Sequence, residues 1–247
     1  GPSDWGKFNY ALAFIGLFTP LVTLGLSSVV VKDLINEEEE ATAILGTGFF
    51  LVITAAVLAI LIINGTIRLF KPDDEIIFLL TFILSVGLIF RSGSVIEFWF
   101  QAHIESKYPV LIRNIAALFG AGLKVLFMLS GLGVLAFAGV STIELAILAL
   151  GLLLVYRNRS EASMRWRIDP GWAKRLLKQS WPLALSVLSL TLYVQVNQIV
   201  LGQTFDDESV GLFSAAYRLT EIWLMVPAAV AASVAPVIIS SKQKGES

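Results

Sequence analysis

The sequence predicts an all-α integral membrane protein, a polytopic bundle of about seven transmembrane helices. Three observations carry that expectation. The chain is 56% hydrophobic and only 15% charged, against about 45–50% apolar and roughly 25% charged residues in soluble domains. Its charges are bunched between long apolar stretches, as required where no water is present to satisfy polar groups. Those stretches also reach the roughly 20 residues that a helical span needs. A transmembrane barrel would instead show segments of about ten residues with alternating polarity.

Seven stretches qualify: 8–31, 43–63, 75–100, 109–131, 140–156, 181–201 and 209–239. The first is followed by a connection holding four consecutive glutamates at 37–40. The second gives way to Asn-Gly and Lys-Pro-Asp-Asp, both turn signals. The third contains Arg91 and Glu97, which puts its inner end at the interface. Short connections, 101–108 and 132–139, bound the fourth, and the fifth carries Glu144 near its outer end. The connection 157–180 is the longest and most basic. Within it, residues 170–179 alternate Trp172, Leu176 and Leu177 with Lys174, Arg175 and Lys178, the pattern of an amphipathic helix lying among headgroups. The last two stretches are joined by the acidic connection 202–208.

Lysine and arginine asymmetry sets orientation. With 157–180 in the cytoplasm, thirteen of the 18 basic residues fall inside and three, Lys7, Arg68 and Lys71, outside; Lys124 and Arg218 lie within spans. The amino terminus is then outer. The absence of cysteine excludes disulfides, thiol catalysis and thiolate metal sites. The single histidine, His103, excludes a multi-histidine metal site. We expect no catalytic residue, no metal, no cofactor and no nucleic-acid partner; a net charge of −1 says nothing about partners.

The chain echoes itself. A shift of 205 residues brings Gly6 onto Gly211, Phe8 onto Phe213, Ala11 onto Ala216, Ser28 onto Ser233 and Val29 onto Val234. Transporters are commonly built from such repeats, with substrate sites between them. A complete span precedes the second copy, whereas only GPSDW precedes the first. The expectation is an internal piece of a transporter of about twelve or more spans, and the opening Gly1 agrees with a processed or trimmed chain. A self-contained seven-span protein is the alternative.

Three stretches resemble a known family. GPSDWGKFNYALAFIGLFTPLVTLGLSSVVVKDL is similar to the second span of polysaccharide (O-antigen type) flippases of the multidrug/oligosaccharidyl-lipid/polysaccharide exporter superfamily. EFWFQAHIESKYPVLIRNIAALFGAGLKVLF is similar to their fourth-to-fifth junction, and WPLALSVLSLTLYVQVNQIVLGQTFDDESVGLFSAAYRLTEI to their seventh and eighth spans. The resemblance covers essentially the whole chain, as spans two to eight. It implies part of a two-lobe inverted-V fold around a central cavity. Residues 1–156 would be an amino-terminal lobe without its first span, 157–180 the basic cytoplasmic linker, and 181–247 the start of a truncated second lobe. It implies a transporter in the cytoplasmic (inner) membrane, not an enzyme. Such proteins flip undecaprenyl-pyrophosphate-linked oligosaccharides by alternating access for surface polysaccharide biosynthesis. The implied partners are the lipid-linked oligosaccharide, membrane lipids, and a polymerase and other polysaccharide assembly proteins. A drug/cation antiporter of the same superfamily is the alternative, and a membrane glycosyltransferase or ligase using lipid-linked sugars a more distant one.

Candidate substrate-binding residues follow from cost. Ionisable groups inside a membrane are expensive and mark functional sites by default. Arg218 and Glu221 lie three apart on one helix face, and Arg218, in Ala-Ala-Tyr-Arg-Leu, matches the cavity arginine of lipid II flippases. A guanidinium fork suits phosphate oxygens. An Arg218–Glu221 ion pair that only fixes packing is the competing reading. Thr191, Gln195 and Gln198 form one polar stripe at i, i+4, i+7, with Asn197 on a neighbouring face; such amides can bond sugar hydroxyls or hold helices together. Many relatives carry an aspartate where Asn197 stands, which speaks against a coupling carboxylate there. Lys124, mid-span, is a second phosphate candidate, while Arg113 is expected to snorkel towards the cytoplasmic end and Glu144 to be interfacial. Arg91, Glu97, Gln101 and His103 crowd one inner mouth as a candidate gate.

Overall fold

The computed structural model describes residues 1–159, 166–220 and 223. These residues form helices and no strand. Six segments are long and apolar enough to cross a membrane: Pro2–Asn36, Glu38–Phe70, Glu75–Ala102, Lys107–Leu129, Val134–Arg159 and Pro170–Thr204. Most of the seventh stretch, with Glu221, lies outside the described residues.

The first span is broken. Helix α1 (Pro2–Thr23) opens with Pro2 and Asp4 in its first turn, which suits the positive end of a helix dipole. It ends where Leu24 and Gly25 take φ of 54° and 61°, a left-handed region costly for leucine. Helix α2 (Ser27–Asn36) follows. The break has a cause in packing: a Cβ on Gly25 would lie 2.6 Å from the Ala184 nitrogen and 3.0 Å from the Ser180 oxygen. Helix α3 (Ala41–Phe70) crosses in one piece. The third span is interrupted, with α4 (Glu75–Val86), a 3₁₀ stretch (Gly87–Gly93) and α5 (Ser94–Ala102). Asp74 caps α4 by accepting from the Ile77 N–H at 3.0 Å. Arg91 therefore sits within the interruption, and the span runs on past it to Ala102.

Helices α6 (Lys107–Leu129) and α7 (Val134–Arg159) pair antiparallel behind this layer. The main core fills the space between α1, α2, α3, α4, α5 and α7, and includes Val30, Ile44, Ile63, Leu80, Phe100 and Tyr156. By contrast, α6 buries only Pro109, Ala116 and Gly120.

Helix α8 (Pro170–Thr204) corrects one expectation. The amphipathic stretch 170–179 is not a separate helix among headgroups; it forms the first turns of a continuous 35-residue helix. Asp169 caps it, accepting from the N–H groups of Gly171 and Trp172 at 2.8 and 3.2 Å. Trp172 and Leu176 are buried in the core, so the apolar face covers protein. Polar contacts fix the docking. Arg175 reaches Asp33 at 3.1 Å and Glu37 at 2.6 Å, Arg167 reaches Glu40 at 3.1 Å, and the Asp169 N–H donates to the Thr47 hydroxyl at 2.9 Å. Of the glutamates at 37–40, Glu37 and Glu40 thus face arginines of the basic connection. Helix α9 starts at 207 and is described to residue 220.

Candidate functional site

Helices α1, α8 and α9 meet at the end assigned to the outside. The sequence echo is a contact here. A Cβ on Gly6 would overlap the carbonyl oxygen of Asp207, and one on Gly211 would overlap that of Pro2. Because Pro2 and Asp207 are also 205 apart, the two overlaps are copies of one another. Such reciprocity marks a two-fold, self-complementary contact, here between two repeats of one chain. Only glycine permits it, since backbone would have to yield.

Charge surrounds this crossing. Lys7 donates to Asp74 at 2.7 Å and lies 3.8 Å from Asp207, and Lys71 lies 3.6 Å from Asp207. The Gln203 amide donates to the Tyr10 hydroxyl at 2.6 Å. Asp207 on α9 is thereby held to α1 and to the end of α3.

Beneath the crossing is a cavity of about 160 Å³, to which Asn9, Ala13, Gln195, Gln198, Tyr217 and Arg218 contribute. Gln195 has room because it lies over Gly16, where a Cβ would come within 2.9 Å of Nε2. Asn9 is buried; its amide donates to the Trp5 carbonyl at 2.7 Å, which turns Oδ1 towards Arg218. Arg218 donates to that oxygen at 3.5 Å and stands 4.9 Å over the Trp5 ring. The hydrogen bond is at the outer limit of length, and a ring face attracts but does not neutralise a cation. Among the described residues no carboxylate pairs with Arg218. A guanidinium has five donors, and among the described residues only Asn9 accepts from it.

The structure thus brings Arg218, Gln195 and Gln198 together and leaves other candidates aside. Thr191 donates to the Val187 carbonyl of its own helix at 2.9 Å. Asn197 is exposed and outside the cavity lining. Lys124 stands elsewhere, on α6, 3.1 Å from Glu144 of α7. That pair answers the cost of a mid-span lysine, and Glu144 also packs over Gly120. Arg113, largely exposed, binds Glu97. His103 stacks on Trp99 at 4.1 Å, away from Glu97's ion pair, so the four-residue mouth is not one cluster. Asn9 and Trp5 were missed. The available signal was a lone amide inside the first apolar stretch; its partner by the 205-residue shift, Ser214, is likewise buried.

Comparison with known proteins gives one match: the family described as polysaccharide biosynthesis protein matches residues 1–242. No curated protein and no solved structure matches.

Proposed function

The chain belongs to the polysaccharide biosynthesis protein family, and from that premise we propose that it is a flippase for undecaprenyl-pyrophosphate-linked oligosaccharide units. It acts in the cytoplasmic membrane as a transporter and not as an enzyme, by alternating access. Arg218 engages the diphosphate while the polyprenyl tail stays in hydrocarbon, and Gln195 and Gln198 offer hydrogen bonds to the first sugar. The observation that carries this reading is Arg218 itself: a guanidinium at membrane depth, held by an amide oxygen and a ring and matched by no described carboxylate. Its small polar cavity suits the phosphate end of such a ligand, and the contact of two repeats beside it suits a transporter whose substrate passes between repeats.

The test uses the complete reading frame that carries this chain, in a strain lacking its own flippase. A hydrogen bond to a charged group contributes about 1.5–3 kcal/mol, so Arg218→Ala should slow surface-polysaccharide export roughly ten- to a hundredfold at unchanged membrane abundance. Arg218→Lys, which keeps charge but loses the fork, should fall between. Normal export by Arg218→Ala at normal abundance refutes the phosphate role.

A further inference from the structure

A second cavity, of about 270 Å³, lies between the 3₁₀ interruption, α5, α6 and α7, and shares no lining residue with the Arg218 cavity. Its polar wall is Arg91, Ser94, Glu97 and Arg113; Leu148 and Leu152 stand on its apolar side. We propose that it is a binding pocket for lipid phosphate, that is, for a phosphate ester carrying an apolar tail.

Four observations carry this. First, the polar wall holds two guanidiniums against one carboxylate. Arg113 is matched with Glu97, while Arg91 makes no hydrogen bond or ion pair with any described residue; the charges acting on it are those same two groups. One positive charge is left over. Second, the Ser94 hydroxyl is buried without a hydrogen-bond partner. A helical serine ordinarily bonds back to its own helix, and an orphan beside an unmatched arginine is an unused donor. Third, the backbone is bent to make the space. The 3₁₀ stretch lets Gly87 and Gly93 approach α7, with Cβ positions 3.1 Å from Leu145 and 3.0 Å from Ala149. A mid-helix 3₁₀ turn of this kind marks function or strain. Fourth, the depth is right. At 1.5 Å per residue, Arg91 lies roughly 24 Å below the start of α4, and Arg113 about 9 Å above the start of α6. With a hydrocarbon core of about 30 Å, the pocket sits near the inner boundary of headgroups and chains. Arg113 is 58% exposed at its side, so the pocket opens on the flank of the bundle where lipid lies.

The inference does not rest on the transport reading, because a bilayer phospholipid and a polyprenyl diphosphate present the same chemistry. The purified chain in detergent is titrated with phosphatidylglycerol, with undecaprenyl diphosphate and with undecaprenol, and bound lipid is read by native mass spectrometry. Retention of at least one phosphate lipid is expected, with undecaprenol retained at least tenfold less. Arg91→Gln should weaken retention at least tenfold, Ser94→Ala a few-fold, and Arg91→Lys least of all, while Arg68→Gln, at the outer end, should change nothing. Which lipid is retained distinguishes a structural phospholipid site from a docking place for a lipid-linked substrate. If Arg91→Gln melts early, the Ser94→Ala and Arg91→Lys results decide. The proposal is overturned if neither phosphate lipid is retained, if undecaprenol is retained equally well, or if well-folded Arg91 and Ser94 variants bind as the native chain does.

Discussion

Gly211→Val tests the helix crossing directly. A Cβ at 211 overlaps the Pro2 carbonyl and lies close to the Gly6 nitrogen, 3.2 Å away. Both neighbours are backbone, so no side chain can swing aside and the helices must part. Forced overpacking of this sort costs about 1–3 kcal/mol. If the crossing exists only while the outer end is closed, that cost falls on one state alone. At about 1.4 kcal/mol per tenfold, the closed-to-open ratio drops by roughly 5- to 150-fold. Because the chain has no cysteine, one introduced cysteine gives an unambiguous readout. Ala13, buried and lining the Arg218 cavity, is the place for it. In the Ala13→Cys background, labelling from outside by a membrane-impermeant maleimide should accelerate 5- to 150-fold with Gly211→Val. By the reciprocity of the contact, Gly6→Val should accelerate it by a similar factor. An unchanged rate in both variants, with the proteins folded and inserted, refutes the crossing as a closure; an effect in only one refutes its two-fold character.

Two further outcomes follow from the ends of the molecule. Leu176→Ala removes a fully buried side chain and should cost about 2–5 kcal/mol, read as a lower melting temperature in detergent; an unchanged value would mean that this face rests on lipid. At Asp74, burial raises the carboxyl pKa, but the Lys7 hydrogen bond, the Ile77 N–H and the charges of Lys7 and Lys71 outweigh it and hold the group below its ordinary 3.8. A depressed value in the folded protein means stability present above the ordinary pKa and lost as pH falls through the depressed one. Because the thiolate is the reacting species, labelling is taken relative to a freely exposed cysteine at the same pH; that ratio for Ala13→Cys should therefore stay flat from pH 7 to about 4 and rise below, and Asp74→Asn should raise it at pH 7 and abolish the acid step.

Much of the architecture was legible, because a bilayer makes hydrophobic length decisive. Five of the apolar stretches map onto described spans with shifts of several residues, and the sixth grew by about three docked turns at its start. That extension was misread because Trp172 and Leu176 show the same periodicity whether they face lipid or protein; the deciding signal, acids at Asp33 and Glu37, is 138 residues or more from Arg175 in sequence. The 3₁₀ interruption was also invisible, since Gly87 and Gly93 read as ordinary span glycines until α7 lies against them. At the site, Arg218, Gln195 and Gln198 were found because charge and helical spacing singled them out. Lys124 stood out for the same reason yet serves Glu144, a pairing across two helices that spacing along one cannot reveal. Asn9 was passed over because a single amide in an apolar run carries no periodicity.

The break after α1 and Pro182 in α8 lie side by side, since Gly25 touches Ser180 and Ala184, which bracket the proline. A proline inside a helix removes one ladder hydrogen bond and is a common bending point, and the two left-handed residues break the other chain segment at the same level. Two soft joints in register share one hinge line. Below it, α2 and the first turns of α8 are bound together by Arg175 with Asp33 and Glu37. Gln195 and Gln198 lie on the longer arm of α8 beyond this level, so a bend at Pro182 would shift them relative to the part of the helix that Arg175 anchors.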